Sequence, residues 1–527
     1  MSIAAKWNNR AFFLKVLIGI LLLAISFFPL LINFPYRINI FLTWEGAYRL
    51  YLGQIPFKDF GLPMGYAYWI IPAIFFKLFG PYLYSLVIAQ CFINLAVGIA
   101  FIKILNLFRI HLAIQCVAVL VFGLTYIFLN YWPWYNHTAF VFGLWGLSFL
   151  LEIVLSNCSK RVSIGYLLMA TFFIFLSFFT KQDYGALFWI FGLILLVYIS
   201  WLEKTYSILL MYILATAFWS CTFILPLLKY DFGYWFNYGQ FPHSARLNYV
   251  NFLTRILGES EWEKFYILFV FGLFVNKYQS DKNILTNKKE ILFLLFTLGI
   301  IVLVLITKVT SVQALGNETF FYGFAVAYLL YALPLQWNWA SNKPLIICFF
   351  AVTFIFSSYY WKYVTIALKL PPPITFNRIA EKPKPDWKFT NWSGFKKVSL
   401  PPSTIKGIDR LMKSHVVQKK DLKVLNMTEL TPLALELGYV PLKNQPLWYH
   451  MKVGMFDKEA KTFCNNISNG YYDLVLFEGI PAINNFFPAQ VQECLKQKYK
   501  LVDTFEAPRR LEEGSYVEVY IPKNVEY

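Results

Sequence analysis

The sequence predicts an α-helical polytopic membrane protein that carries a C-terminal α/β domain. The chain has 527 residues, of which 58% are hydrophobic and only 14% are charged, and its mean hydropathy is +0.52. Soluble domains carry about 25% charged residues, so this deficit indicates that lipid surrounds much of the chain. Long apolar segments fill the first two thirds of the sequence, and a more polar region with alternating strand and helix patterns follows them.

Eleven apolar segments predict transmembrane helices, because a helix needs about 20 apolar residues to cross the hydrocarbon core. They lie near residues 11–34, 82–105, 112–130, 138–156, 163–179, 185–202, 206–228, 264–276, 290–307, 319–336 and 344–361. The run 65–80 is apolar but short, and Pro72 interrupts it. It is therefore expected to be an interfacial or re-entrant helix. The first span is too long for a cleavable signal peptide and lacks a small-residue cleavage site.

The distribution of basic residues orients the spans. Lys and Arg collect in the loops on the side of the N-terminus, from Arg10 through Arg109 to Lys343, and the opposite short loops receive fewer. The positive-inside rule then places the N-terminus in the cytoplasm. Because the number of predicted spans is odd, the C-terminal domain is expected to be extracytoplasmic. This distribution also explains the net charge of +18 without a nucleic-acid partner.

Three regions are predicted along the chain: a transmembrane core over 1–361, a linker and the start of the soluble region over 362–420, and an α/β domain over 421–527. Within the domain, "DLKVLNM", "YDLVLFEG" and "YVEVYIP" predict strands, and "TELTPLALELG" and "NNFFPAQVQECLKQKY" predict helices. Strands that alternate with helices are typical of an α/β fold. Cys464 and Cys494 could pair if the domain lies in an oxidising compartment.

The first outer loop, "FLTWEGAYRLYLGQIPFKDFGLPMGY" (41–66), contains four charged residues in a chain that has few. Glu45 and Arg49 are spaced for a helical i,i+4 ion pair, which is a sufficient structural reason for both. Asp59, which follows Lys58, could be an ordinary turn acid. The other outer loops add further polar and aromatic side chains, namely Trp132, His137, Lys181, Asp183, Asp231, His243, Arg246, Lys308, Gln313 and Glu318.

Taken one by one, these residues have structural explanations, such as an aromatic belt around Trp132 and His137 or a span end at Lys181 and Asp183. Together they suit the transfer of a sugar from a lipid phosphate at the membrane surface. A carboxylate could take the proton of the acceptor hydroxyl as general base. Arg or Lys could stabilise the departing phosphate, on which negative charge develops.

Several short motifs resemble the first-loop signature of the GT-C glycosyltransferases, in particular the group of protein O-mannosyltransferases and lipid A aminoarabinose transferases. They are Glu45-Gly46-Ala47-Tyr48, "GQIPFKDF" (53–60), Pro63 with Gly65, and "KLFG" (77–80). "TKQDYG" (180–185) also resembles a segment of bacterial members. The sequence departs from the family at Trp44-Glu45, where the family usually has an Asp-Glu pair.

The resemblance implies a GT-C type fold, with juxtamembrane helices in the loop 35–81, and a site at the surface of a bacterial inner or plasma membrane. It implies an inverting transfer of a monosaccharide from a polyprenyl-phosphate donor to an envelope glycan, lipid or protein. Carried onto this sequence, the general base is expected to be Glu45, with Asp59 second. The residues expected to bind donor phosphate or substrate are Arg49, Lys58, Tyr66, Trp132, His137, Lys181, Asp183, His243, Arg246 and Glu318.

The sequence indicates no definite cofactor, and a divalent cation such as Mg²⁺ or Mn²⁺ at Glu45 and Asp59 stays open as an alternative. Two other functions stay open. A lipid-linked glycan flippase or other transporter would place ionisable groups near mid-membrane and use broken helices. A non-catalytic membrane assembly protein would use its outer domain to bind partners.

Overall fold

The computed structural model describes residues 3–36, 40–61, 64–156, 159–230, 248–311, 319–333, 337–339, 341–368, 387–451, 454–479, 488–508 and 515–527. Each of the eleven expected spans overlaps a helix in the membrane region. The helices of this region are α1 Ile3–Phe27, α2 Ile40–Tyr51, α3 Ala67–Phe79, α4 Leu83–Leu107, α5 Leu112–Thr125, α6 Tyr135–Leu155, α7 Lys160–Phe178, α8 Gln182–Glu203, α9 Ser207–Ile224, α10 Tyr249–Leu253, α11 Glu261–Ser280, α12 Lys288–Ser311, α13 Phe321–Ala332, α14 Lys343–Ile355 and α15 Ser357–Ala367.

The structure confirms a polytopic helical fold, but fewer than eleven helices meet a strict criterion for crossing a membrane. Among the described residues, seven helices are long and apolar enough, and α14 with α15 could form an eighth span although the pair is bent by 65°. Helices α5 and α13 are apolar but have only 14 and 12 residues. By length and composition alone, the described helices therefore give seven or eight spans, without counting the shorter apolar helices α3, α5 and α13.

Helix α3 has the features of an interfacial helix. Its 13 residues extend about 20 Å, which is less than the ~30 Å hydrocarbon core. Trp69 and Phe76 are buried against the protein, whereas Ile70, Ile74 and Leu78, spaced four residues apart, are exposed. This exposed apolar stripe suits a helix that lies in the membrane surface with one face in lipid.

The C-terminal region forms a mixed α/β domain. Its sheet has the strand order β5-β7-β9-β8, in which β5 and β7 are parallel and the other two pairs are antiparallel. The strands of the chain are β1 Phe34–Pro35, β2 Phe60–Gly61, β3 Lys388–Phe389, β4 Val398–Leu400, β5 Val424–Met427, β6 Gln445–Pro446, β7 Leu474–Gly479, β8 Tyr499–Glu506 and β9 Tyr516–Pro522. The helices of this region are α16 Pro402–Lys413, α17 Leu433–Glu436, α18 Asp457–Ser468 and α19 Ala489–Lys498.

All three predicted strands and both predicted helices of the domain are present, although the first helix shrinks to α17. Strand β8 and helices α16 and α18 were not predicted. Helix α16 packs on β8. Arg410 forms a bidentate ion pair with Asp503, and Gly407 lies against the ring of Phe505. The folded unit therefore includes residues before 421. A disulfide between Cys464 and Cys494 joins α18 to α19.

The domain is attached to the segment 34–61 by two short parallel strand pairs. Strand β4 pairs with β1, and the backbone N–H of Tyr36 donates to the carbonyl of Ser399 at 2.9 Å. Strand β6 pairs with β2, and the N–H of Leu447 donates to the carbonyl of Gly61 at 2.8 Å. Both pairs join residues more than 360 positions apart, so this segment and the domain form one continuous structure at one end of the helices.

Candidate active site

Helix α2 places Glu45 and Arg49 on one face, four residues apart, as their spacing predicts. Oε1 of Glu45 accepts hydrogen bonds from Nε of Arg49 at 2.9 Å and from Nη2 at 2.7 Å. Both residues are buried: Arg49 is 1% exposed and Glu45 is 6% exposed. Such a pair is tightly held because the low-dielectric surroundings strengthen its attraction and its two hydrogen bonds fix the geometry.

The remaining donors of Arg49 face the C-terminal domain. Nη1 donates to the carbonyl of Leu442 and to Oε1 of Gln54, each at 2.8 Å. Gln54 in turn donates to the carbonyl of Pro441 at 2.7 Å. The guanidinium of Arg49 has five N–H groups and donates four hydrogen bonds. In this conformation Arg49 therefore connects the domain to α2 and has little capacity left to bind a phosphate.

Glu45 faces a very small cavity between α2 and the domain. The cavity has a volume of about 10 Å³, room for no more than one water, and among its walls are Asn426, Thr431, Tyr439 and Tyr449. Burial raises the pKa of Glu45 above its usual value, and the charge and hydrogen bonds of Arg49 offset this only in part. A carboxylate with a raised pKa is a stronger base once it is ionised.

Asp59 lies in the turn before β2, and both of its carboxylate oxygens have partners. Oδ2 accepts from the N–H of Ile55 at 2.8 Å, and Oδ1 lies 3.3 Å from Nζ of Lys443. Burial alone would raise the pKa of Asp59, but the Ile55 hydrogen bond and the charges of Lys443 and Lys58 outweigh it and hold the pKa below its usual value. This geometry is that of a turn acid that also contacts the C-terminal domain.

A larger cavity of about 520 Å³ lies between the first loop and the domain. Its walls include the lysines Lys58, Lys443 and Lys458 and the rings of Tyr471 and Tyr472. Leu442 and Gln445 line both this cavity and the small one at Glu45. The segment 442–445 therefore separates the larger, polar space from the candidate base.

A second charged pair lies where α7 ends and α8 begins. Lys181 is fully buried, and its Nζ donates to Oδ2 of Asp183 at 2.7 Å; the same oxygen accepts from the hydroxyl of Thr310 at the end of α12. Oδ1 of Asp183 accepts no hydrogen bond within the described part of the chain. Asp183 thus keeps one carboxylate oxygen available.

The first loop contacts the end of α7, two residues before Lys181, through Gly65 and Tyr66. A Cβ atom at Gly65 would lie 1.6 Å from the carbonyl oxygen of Phe179, so only glycine fits this approach. The ring of Tyr66 packs edge-on against Phe179, with centroids 4.9 Å apart. Burial raises the pKa of Tyr66. The structure therefore brings the loop into contact with Phe179, the residue directly before the "TKQDYG" segment.

The other predicted residues lie apart from these pairs or outside the described residues. Trp132 packs against Phe34, with ring centroids 5.5 Å apart. His137 packs edge-on against Tyr126 at 6.0 Å. His243, Arg246 and Glu318 fall outside the described residues. No local sequence pattern indicates Lys443, Tyr439 or Tyr449, because they come close to the first loop only through the tertiary fold.

The metal site expected at Glu45 and Asp59 stays a prediction. Each carboxylate already faces a cation, Arg49 or Lys443. Within the described ranges, no group of three or more His, Cys, Asp and Glu side chains could hold a metal ion. No step is therefore assigned to a metal at these two residues.

Comparison with known proteins identifies the fold. No protein-family model and no curated protein matches the chain. The crystal structure of ArnT from Cupriavidus metallidurans in the apo state is similar with a TM-score of 0.55 at 10% identity, over 98% of this chain and 98% of that one. The structure of the same protein bound to undecaprenyl phosphate has a TM-score of 0.49 at 11% identity, over 96% and 97%, and adds nothing to the assignment. The resemblance seen in the first loop is thus confirmed for the fold: the chain has a GT-C-like polytopic architecture along almost its whole length.

Proposed function

We propose that the protein is an integral membrane glycosyltransferase that transfers a monosaccharide from a polyprenyl-phosphate donor to an envelope glycan, lipid or protein, with inversion, on the extracytoplasmic side. The observation that carries the proposal is the buried carboxylate Glu45, which has a raised pKa and lies on the juxtamembrane helix α2 of a GT-C-like fold. The disulfide in the C-terminal domain supports the sidedness, since disulfides persist in oxidising compartments.

In the proposed reaction Glu45 takes the proton of the acceptor hydroxyl, and the oxygen of that hydroxyl attacks the anomeric carbon of the donor sugar. The bond between that carbon and the phosphate oxygen breaks, and polyprenyl phosphate leaves with the bonding electron pair. Arg49 holds Oε1 of Glu45, which fixes the carboxylate and leaves Oε2 for the acceptor. Asp59 is the second candidate base, although both of its oxygens are bonded.

We assign the donor phosphate to the neighbourhood of Lys181. The ammonium group of Lys181 is fully buried where α7 and α8 meet. This ammonium group and the hydroxyl of Thr310 both donate to Oδ2 of Asp183. Positive charge at this position would offset the negative charge that develops on the leaving phosphate. Asp183 would hold the lysine in place until the donor binds, and Tyr66 would contact the sugar.

The acceptor is proposed to enter through the 520 Å³ cavity between the first loop and the domain. Its lysines and tyrosines suit a hydroxyl-rich acceptor, because lysines donate hydrogen bonds and aromatic rings stack on sugar faces. To reach Glu45, the acceptor needs the segment 442–445 to shift, since the cavity beside Glu45 has room for no more than one water. Binding of the acceptor would then expose Glu45. Until the acceptor binds, the segment 442–445 would keep water away from Glu45 and the donor.

The positions of the ion pairs favour an enzyme over a transporter. Four described ion pairs join different helices of the membrane region: Lys103–Glu152, Lys277–Glu290, Lys288–Glu203 and Lys308–Glu263. All eight partners lie within about one turn of a helix end. A transporter would be expected to place such groups near the middle of the membrane.

The test is to incubate the purified protein with polyprenyl-phosphate sugars that carry a radiolabelled sugar, together with envelope extracts as acceptor. A glycosyltransferase forms a labelled glycoside and free polyprenyl phosphate in equal amounts. A flippase moves the intact donor across a vesicle membrane without releasing polyprenyl phosphate. An assembly protein does neither, and either of these two results would overturn the proposal.

A further inference from the structure

A third cavity lies at the opposite end of the helical bundle from the C-terminal domain. The outer end of α1 leads to Leu30, whose carbonyl accepts from Lys397, and the N–H of Leu83 at the start of α4 donates to Gly394. The cavity lies at the other ends of the same two helices, beside Arg10 and Arg109. Because α4 has 25 residues, this end is about 37 Å away. The cavity is therefore separate from the proposed active site.

The polar wall of this cavity is strongly basic. The cavity has a volume of about 390 Å³, and the polar side chains that line it in the described part of the chain are Arg10, Asn106, Arg109, His111 and Gln115, none of which is acidic. Arg109 forms no side-chain hydrogen bond or ion pair with any described residue. Nη2 of Arg10 donates to the carbonyl of Ser341 at 2.7 Å, but its Nε is buried and has no partner. Two guanidinium groups thus keep unused donors.

His111 and Gln115 add a neutral donor and an acceptor. Nδ1 of His111 accepts from the N–H of Ala113 at 3.2 Å. A neutral imidazole with an accepting Nδ1 carries its proton on Nε2, which can donate. Burial, together with the charge of Arg10, lowers the pKa of His111 and favours this neutral form. Gln115 is 2% exposed, and its Oε1 accepts no hydrogen bond from the described residues.

The backbone of Arg109 adopts a conformation that costs free energy for a residue other than glycine. Its φ is +49°, in the left-handed region that glycine or asparagine adopts most readily at the end of a helix. The apolar part of the wall, formed by Ala11, Leu14, Ile110, Leu112 and Trp339, adjoins the lipid-facing surface of α1. On that surface Phe12, Phe13, Val16 and Ile20 are exposed.

We propose that this cavity binds the headgroup of an anionic phospholipid from the leaflet opposite the C-terminal domain. Arg10, Arg109 and His111 would donate to the phosphate, Gln115 would accept from a headgroup hydroxyl, and the acyl chains would lie along α1. Basic pockets between transmembrane helices on the cytoplasmic side bind such headgroups elsewhere. The exposed apolar side chains of α1 favour a lipid over free phosphate, because only a lipid has chains to cover them.

The proposal is tested with the full-length protein by native mass spectrometry and by its thermal unfolding temperature. The protein is titrated with phosphatidylglycerol, phosphatidylcholine or inorganic phosphate. Phosphatidylglycerol is expected to bind and to raise the unfolding temperature more than the other two. The double variant Arg10→Gln with Arg109→Asn should bind it about tenfold more weakly. Asparagine tolerates the left-handed backbone at position 109, so this change removes charge at little cost in strain.

The matched control is Lys160→Gln with Arg161→Gln, which removes two exposed basic residues at the same end of the bundle but outside the cavity. This control should bind phosphatidylglycerol as the wild type does. Equal loss in the control, or equal stabilisation of the wild type by phosphatidylcholine, would overturn the proposal. Stabilisation by inorganic phosphate to the same extent would show a free-phosphate site and would also overturn it. The wild-type comparison holds even if the double variant fails to fold.

Discussion

At the residue scale, the candidate site centres on the ion pair between Glu45 and Arg49, and the C-terminal domain covers this pair. The i,i+4 spacing of Glu45 and Arg49 predicts their ion pair correctly, because it depends only on helix geometry. The burial of the pair depends on Pro441 and Leu442, almost 400 residues away, and no local pattern encodes that contact. Likewise, Lys443 beside Asp59 has no sequence signature.

The raised pKa of Glu45 gives a prediction for the pH dependence of the activity. A general base must be ionised, so transfer should fall as pH decreases through the pKa of Glu45. Because burial raises that pKa, the acid limb of kcat/KM should lie above about 4.3, the ordinary value for glutamate. The measurement is kcat/KM from pH 4 to 8. If Glu45→Gln retains the same acid limb, another group, such as Asp59, is the base.

At the scale of elements, periodicity and length identify most helices but miss those that need tertiary contacts. The run 65–80 is too short to span, and it forms the interfacial helix α3. Helix α16 was missed because its segment, 402–413, lies in a stretch whose prolines and lysines are typical of a linker. It is strongly amphipathic, with Ile408 and Leu411 buried and Arg410 on the sheet edge. Its 3.6-residue periodicity was a signal that could have found it.

The contact between the first loop and the end of α7 predicts a severe effect of Gly65→Ala. The new methyl group would overlap the backbone oxygen of Phe179, which cannot move like a flexible side chain. We expect a loss of about 3 kcal/mol in stability or a displaced loop with reduced transfer. Gly165→Ala is the control, since Gly165 lies in α7 and has no atom within 4 Å of the added methyl. Thermal unfolding and activity measure both, and equal effects in the two variants would contradict the contact.

The disulfide between α18 and α19 predicts that the C-terminal domain is sensitive to reduction. It closes a loop with a sequence separation of 30, so its removal by Cys464→Ser with Cys494→Ser should cost about 3 kcal/mol. Thermal unfolding with and without dithiothreitol measures the effect in the full-length protein. Cys221→Ser, at an exposed free cysteine, should change nothing. Unchanged unfolding of the double variant would show that the bond contributes no stability.

At the scale of the whole molecule, the sequence predicts the order of the parts, and the structure adds how they are joined. The polytopic core and the α/β domain were both expected from composition and pattern. Their attachment was not, because β1 and β2 are two-residue strands that form only against β4 and β6. The proposed active site lies under this attachment, so a catalytic residue can be inferred from the first loop whereas its access route cannot.

The sidedness of the proposed enzyme predicts where the disulfide can be reached. In intact spheroplasts, a membrane-impermeant phosphine should reduce Cys464–Cys494, after which an impermeant maleimide should label both cysteines. The variant Cys464→Ser with Cys494→Ser controls for labelling at other cysteines. Labelling only after lysis would place the domain in the cytoplasm and reverse the orientation.

The most direct test of the account compares the rates of coupled glycoside formation and polyprenyl phosphate release in wild type, Glu45→Gln, and Glu45→Gln with Arg49→Gln. The double variant removes the buried charge of Arg49, which the single change leaves unpaired. Asp59→Asn is the matched control for loss of a carboxylate. We predict at least about a 100-fold loss in both Glu45 variants and substantial activity in Asp59→Asn. Near-wild-type transfer by the double variant would show that Glu45 only balances Arg49, and would contradict its role as the base.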